Sequence, residues 1–397
     1  MSDDIHSQAI DTSNAWEGLR MSGREVTIAA YYFPNYHVDP RNEQWHGEGW
    51  TEWEVAKKAS PRFEGHIQPR VPLHGYEDEA DPVVMTKKVE MAARHGVDAF
   101  IFDWYWYSGR PYLERPLETA FMPVAADHDM KFAVMWANHH WTNIHPWKSG
   151  TPATELESGS VDGAQFRAAT DYLLERYFHH PAYLRLDGRP YLSIYDLPTL
   201  IDGLGGIDAT RAALDDLRSR AARAGHGDVH LNAIARDQPV LPQDGVALDE
   251  AVLVNRLGFD SVTSYVWVHH YPLPTLLTPY PDVLEQAEEG WEALAARFDQ
   301  PYYPNVTVGW DPSPRTVQSD RYDPSLGYPH TNIISDCTPE HFGQALERVR
   351  KYVEETQAPL VTINAWNEWT EGTYLEPDTV YEFGHLEQIR RVFGTRL

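Results

Sequence analysis

The chain has 397 residues, with 33 Lys plus Arg against 59 Asp plus Glu, for a formal net charge of −26. That balance argues against nucleic acid or an anionic membrane as partner, because both need a basic face. The single cysteine, Cys337, excludes an intramolecular disulfide and gives no support to a cysteine metal cluster.

The acidic start, Met1-Ser2-Asp3-Asp4-Ile5-His6, lacks the basic and apolar segments of a secretory signal, and no apolar stretch has the length of a membrane span. A cytoplasmic protein is expected. Residues 1–24 show no periodicity and are expected to be a polar leader, with one catalytic domain over 25–397. The first strand is expected over 26–32. The stretch 33–75 carries Pro, Gly, His and Trp but little helical pattern, and a loop of that length in a compact domain is usually functional. Asp81-Pro82 then opens a helix, with Asp as cap and Pro in the first turn, that stops at Gly96. Strands over 97–105, 131–136, 191–195, 229–234, 261–267, 303–308 and 360–365 follow. They alternate with helices over 117–126, 164–178, 209–224, 250–257, 282–298, 339–355 and 382–393. Eight strand–helix units predict a parallel sheet and an α/β fold, a single (β/α)8 TIM barrel with long βα loops. No glycine-rich phosphate fingerprint follows the first strand, which counts against a dinucleotide fold, and no cofactor is expected.

In such a barrel the active site lies at the carboxyl ends of the strands. The first strand ends in Tyr31 and Tyr32, the second in Asp103, Trp104 and Tyr105, and the third in Trp136, Asn138, His139, His140 and Trp141. Asp196 follows the fourth, Arg236 and Asp237 the fifth, Tyr265, Trp267, His269 and His270 the sixth, and Trp310 the seventh. The eighth delivers Trp366, Asn367, Glu368, Trp369 and Glu371. A core strand end has no need of Asn, His, Asp and Glu repeatedly, so this rim is expected to bind a ligand. Asp103 fits a substrate contact or a buried orienting group equally well. Adjacent histidines point different ways and no zinc-site spacing appears, so no metal is expected. With 14 Trp and 22 Tyr the chain is rich in rings on which the C–H faces of a sugar stack. Glu368 and Glu371, close in sequence and flanked by Trp366, Trp369 and Tyr374, supply the acid and base that cleavage of a sugar acetal requires.

The segments Tyr31-Tyr32-Phe33-Pro34-Asn35-Tyr36-His37, Gly49-Trp50-Thr51-Glu52-Trp53, Gly65-His66-Ile67-Gln68-Pro69-Arg70 and Trp136-Ala137-Asn138, with the stretch from Asn364 to Pro377, resemble the WbsX-like proteins of bacterial polysaccharide gene clusters. That group is similar to glycoside hydrolase family 99, the endo-α-mannosidases. The resemblance covers the chain from Thr27 to Phe393. It implies a retaining mechanism in which Glu368 takes the proton of the sugar's own 2-hydroxyl, which attacks the anomeric carbon to give a 1,2-anhydro sugar. Glu371 would protonate the departing oxygen and later activate water. The chain departs from the group at Asn138-His139, where Asn-Glu is common. Two further readings stand beside an endo-acting hydrolase of an intracellular α-mannan-like glycan: a glycosyltransferase of polysaccharide assembly, and a non-catalytic carbohydrate-binding barrel.

Overall fold

The β-branched and aromatic runs become parallel strands whose side chains alternate between the barrel interior and the surrounding helices. The computed structural model describes residues 26–143, 154–236, 249–316 and 332–394. The leader expected over 1–24, and Asp237, lie outside these residues.

Strand β1 is Thr27–Tyr32, β2 Ala99–Tyr107, β3 Lys131–Trp136, β4 Arg189–Ile194, β5 His230–Ala235 and β6 Ser261–Ser264. β7 comes in two pieces, Tyr302–Tyr303 and Asn305–Thr307, and β8 is Leu360–Asn364. Pro304 divides β7 because proline has no N–H to give the ladder. Parallel pairing runs from the first piece of β7 through β6, β5, β4, β3, β2 and β1 to β8 and the second piece of β7. Val262 pairs with Tyr302 at one edge and Asn305 with Thr362 at the other. β7 thus meets both edges of the sheet, and the architecture is the expected (β/α)8 TIM barrel.

Helices fill the connections: α1 Pro40–His46, α2 Trp53–Lys57, α3 Pro82–Arg94, α4 Met122–Ala125, α5 Gly163–Tyr172, α6 Leu197–Leu204, α7 Ile207–Arg223, α8 Glu250–Leu257, α9 Tyr280–Arg297, α10 Pro339–Thr356 and α11 Gly384–Phe393. Asp81 caps α3 by accepting from Val83 N at 2.8 Å, with Pro82 in the first turn. The stretch 33–75, expected to hold little helix, contains α1 and α2. Asp39 caps α1 through Arg41 N, and Pro40 starts it. The sixth strand ends three residues earlier than expected. There the Trp267 N–H leaves the ladder for Thr307 Oγ1 at 3.0 Å, and Trp267–His269 turns as a 3₁₀ helix. β2 runs on to Tyr107 and folds back on Arg110–Tyr112. Among the described residues no helix is long and apolar enough to cross a membrane.

Candidate active site

Past β8 the chain makes a tight reversal: Asn367–Glu368 pairs antiparallel with Thr373–Tyr374, and a 3₁₀ turn, Trp369–Glu371, joins them. Glu368 and Glu371 therefore flank one rigid turn. Gly372 closes it at φ 65°, and a Cβ there would stand 2.6 Å from Asp311 Cβ and 2.8 Å from Asp311 N, so the position requires glycine. The Asp311 N–H donates to Glu371 O, tying the turn to the end of the seventh strand–loop unit. Asn367 anchors the other side. Its amide donates to Phe33 O at 2.8 Å and accepts from Phe33 N at 2.8 Å, joining this segment to the chain just past β1.

A cavity opens at this end of the barrel, lined by Phe33, Asp103, Tyr105, Met135, Ala137, His139, Trp141, Tyr195, Tyr265, Arg315, Glu368 and Glu371. Arg315 organises its charges. Its guanidinium donates to Glu368 Oε2 at 3.0 Å, to Glu52 Oε1 at 3.2 Å and to Glu371 Oε1, while Nε reaches Thr370 Oγ1 at 2.8 Å. Glu52 is fixed from below by a chain of amides. Tyr112 donates to Asn42 Oδ1 at 2.5 Å, Asn42 to Asn35 Oδ1 at 2.7 Å, and Asn35 to Glu52 Oε2 at 2.6 Å. α1 contributes Asn42 to this chain, and Glu52 stands just before α2. Across the cavity the Tyr265 hydroxyl lies 3.0 Å from Glu368 Oε1 and 3.1 Å from Asp103 Oδ2.

Burial sets the protonation. Desolvation first, then the charge of Glu371, pushes Glu368 well above the usual carboxylate range despite Arg315. Burial raises Glu371 too, against the pull of Arg315. One guanidinium among several buried carboxyls cannot neutralise them all, so the pair favours holding a proton. Glu371 Oε2 is buried with no hydrogen-bond partner among the described residues, which suits an oxygen that carries a proton for a ligand. His139 is kept neutral by burial, and its Nδ1 lies 3.0 Å from His140 O. Nδ1–H is then the donor, and Nε2 is left as an acceptor.

The family described as Glycosyltransferase WbsX matches residues 28–389 of this sequence. The chain belongs to the WbsX family. It is 28% identical over 381 residues to the uncharacterized protein WxcX of Xanthomonas campestris pv. campestris (strain B100), covering 92% of this chain and 49% of WxcX. The chain thus spans about half the length of the curated relatives it matches. Among solved structures, it resembles a family GH99 endo-α-mannosidase from Bacteroides thetaiotaomicron, with TM-score 0.57, 16% identity and coverage of 92% and 96% of the two chains. A glycoside hydrolase-like protein aligns with TM-score 0.59 and 15% identity over 95% and 96% of the chains. At these identities the likeness is one of fold, a TIM barrel.

The residues expected at the rim of this WbsX chain divide in two. Asp103, Tyr105, His139, Trp141, Tyr265, Glu368 and Glu371 meet in the cavity. Tyr31 lies one layer deeper, its hydroxyl bonded to Ser264 O at 3.3 Å and its ring against Tyr265. The others do not line the cavity. Tyr32 stacks on Phe102, Trp104 donates to Tyr177 at 3.2 Å, Trp136 stacks on Phe166 of α5, and Trp366 packs on Phe100. Asn138 brackets the Asp196 backbone, Trp267 donates to Asn305 O, and Trp310 is buried. Trp369 stacks on Tyr374 and donates to Glu376 at 2.8 Å. Asn367 serves the anchor described above. Among the described residues no group of three or more His, Cys, Asp or Glu is arranged to hold a metal ion. Sequence reasoning did not find Arg315, Glu52, Phe33, Met135, Ala137 or Tyr195. The signals for four of them were present: Phe33, Glu52 and Ala137 stand in the segments Tyr31–His37, Gly49–Trp53 and Trp136–Asn138, and Tyr195 is an aromatic at the fourth strand end.

Proposed function

We propose that this chain is a retaining, endo-acting glycoside hydrolase that cleaves α-mannosidic bonds in a mannan-like oligo- or polysaccharide, using the substrate's 2-hydroxyl as nucleophile. The observation that carries the reading is that Glu368 and Glu371 face one buried cavity and share Arg315. In the first step Glu368 takes the 2-hydroxyl proton as O2 bonds to C1. The C1–O bond to the leaving sugar breaks, and Glu371 gives its proton to that oxygen. In the second step water attacks C1, Glu371 takes the water's proton, and Glu368 returns a proton to O2 as the strained ring opens. An α-mannoside suits this course because its axial 2-hydroxyl stands opposite the leaving group. Arg315 holds both carboxylates in place across the two steps and stabilises whichever one is ionised. Trp141, Tyr105, Tyr195 and Phe33 supply apolar walls for the sugar ring.

The description of the WbsX family supports a second reading, a glycosyltransferase of polysaccharide assembly, in which a sugar hydroxyl takes the glycosyl group from a sugar-nucleotide or lipid-linked donor and the product is a new glycosidic bond. Proton NMR of the first-formed product from an α-1,2- or α-1,3-linked manno-oligosaccharide separates these outcomes. An α-configured reducing sugar supports the retaining hydrolase. A β-configured one opposes it, and a longer oligosaccharide in place of the reducing sugar supports transfer.

A further inference from the structure

The Tyr265 hydroxyl has one hydrogen and two carboxyl neighbours, Glu368 Oε1 at 3.0 Å and Asp103 Oδ2 at 3.1 Å. Were both carboxyls ionised, one of these contacts would set two oxygens face to face with no hydrogen between them, which is repulsive in a buried site. A second proton is therefore needed, on one carboxyl or the other. The surroundings decide which. Glu368 receives a charged donor, Arg315, on its second oxygen at 3.0 Å. Asp103 Oδ1 is buried with no hydrogen-bond partner among the described residues. A bare carbonyl oxygen costs less there than a bare carboxylate oxygen. The groups around Asp103 agree. Glu368 and Glu371 are acidic, Tyr31 and Tyr105 are buried phenols and Tyr195 a half-buried one, and Arg315 is committed to Glu52, Glu368 and Glu371.

We propose that Asp103 is held as the neutral acid and donates from Oδ2 to the Tyr265 oxygen, which fixes the Tyr265 hydrogen on Glu368. Asp103 is then a positioning residue. It removes one negative charge from the site and orients a donor that, with Arg315, works against the upward push of burial on Glu368 and favours the ionised form that accepts a proton. The role for Glu368 rests on the reading given under Proposed function, but the place of the proton does not. Burial and the charge of Glu371 raise both Asp103 and Glu368 well above the usual carboxylate range, so the choice between them rests on the hydrogen-bond geometry.

The test is infrared spectroscopy of the full chain at neutral pH, without substrate, reading the carbonyl stretch of protonated carboxyl groups. The wild-type minus Asp103→Asn difference is expected to contain such a band, and the wild-type minus Glu368→Gln difference to lack it. A band lost with Glu368→Gln and kept in Asp103→Asn overturns the proposal, as does a wild-type spectrum with no protonated carboxyl. Should Asp103→Asn fail to fold, Tyr265→Phe decides: removing the acceptor is expected to shift the band without abolishing it, and an unmoved band contradicts the assignment. In turnover, Asp103→Ala is expected to lower kcat about a hundred-fold and Asp103→Asn to recover at least about ten-fold of that, since the amide keeps a donor toward Tyr265. Equal losses in the two variants would show that the carboxylate itself is required. If no glycan is turned over at all, the hydrolase reading fails and the infrared result still locates the proton.

Discussion

Arg315 stands 3.0 Å from Glu368 and, with its other amino nitrogen, holds Glu371. A residue on the loop after β7 thus sets the charge of two residues on the loop after β8. Arg315 lowers both carboxyls against the larger upward push of burial, so its removal raises them further. In Arg315→Met the base ionises only at higher pH. The acidic limb of kcat/KM is expected to move up by about one unit or more, with an overall loss of roughly a hundred-fold or greater. A pH–rate profile with its acidic limb unmoved would contradict this role.

Trp141 lines the cavity, whereas Trp136 packs on Phe166 behind the barrel wall. Trp141→Ala is expected to raise KM about ten-fold with a smaller effect on kcat, the signature of lost ground-state binding. Trp136→Ala is expected to leave KM unchanged and to cost about 3–5 kcal/mol of stability. Steady-state kinetics beside urea denaturation check the contrast, and similar KM changes in both variants would refute it.

Lys88 on α3 is buried between Glu79 and Glu376, 3.1 Å from Glu79 and in contact with Glu376. Glu79 in turn accepts from Asn367 at 2.9 Å and Glu376 from Trp369 at 2.8 Å, so the ions brace the segment that carries Glu368. Lys88→Met leaves two buried carboxyls without a cation and is expected to destabilise by about 3–5 kcal/mol. Adding Glu79→Gln and Glu376→Gln is expected to restore part of that loss. Denaturation midpoints of the single and triple variants measure it, and a triple variant weaker than the single one would count against the account.

His37 and His269 are both held neutral, with pKa values lowered to about 3, chiefly by burial and also by neighbouring cations, Arg115 beside His37 and Arg236 beside His269. An unfolded histidine takes up its proton near pH 6.5. The stability each contributes is therefore fully present above about pH 6.5 and is lost as the pH falls toward 3, at up to about 1.4 kcal/mol per pH unit. His37→Phe is expected to flatten the fall of denaturation free energy between pH 6.5 and 4. An unchanged slope would show that His37 is not linked to acid unfolding.

The fold was legible because the strand–helix alternation is a property of composition: β-branched runs, then capped helices such as Asp81-Pro82. The site was legible by strand end but not by face. Along β2, Asp103 and Tyr105 face the cavity while Trp104 between them meets Tyr177. At the end of β3, Met135 and the next residue but one, Ala137, face it while Trp136 meets α5. The two-residue alternation of a strand divides any run of aromatics between ligand and helix, and Trp104, Trp136 and Tyr32 fall on the helix side. Counting parity from Asp103 along β2 would have separated Trp104 from Tyr105. Arg315 was beyond that rule, because it ends a single 3₁₀ turn, Ser313–Arg315, too short for any periodicity to say which way a side chain points. Glu52 was hidden differently: only the folding of α1 and α2 brings it under Arg315.

The most direct measurement is incubation of the purified chain, without added cofactor, with a panel of α-manno-oligosaccharides and α-mannans, reading products by mass spectrometry, for the wild type and for Glu368→Gln and Glu371→Gln. Defined fragments are expected from the wild type, falling by at least about a thousand-fold in each variant. Fragments released at the wild-type rate by either variant would contradict the assignment of the pair. No cleavage by the wild type, together with glycosyl transfer from a sugar-nucleotide donor, would replace the hydrolase by the transferase reading.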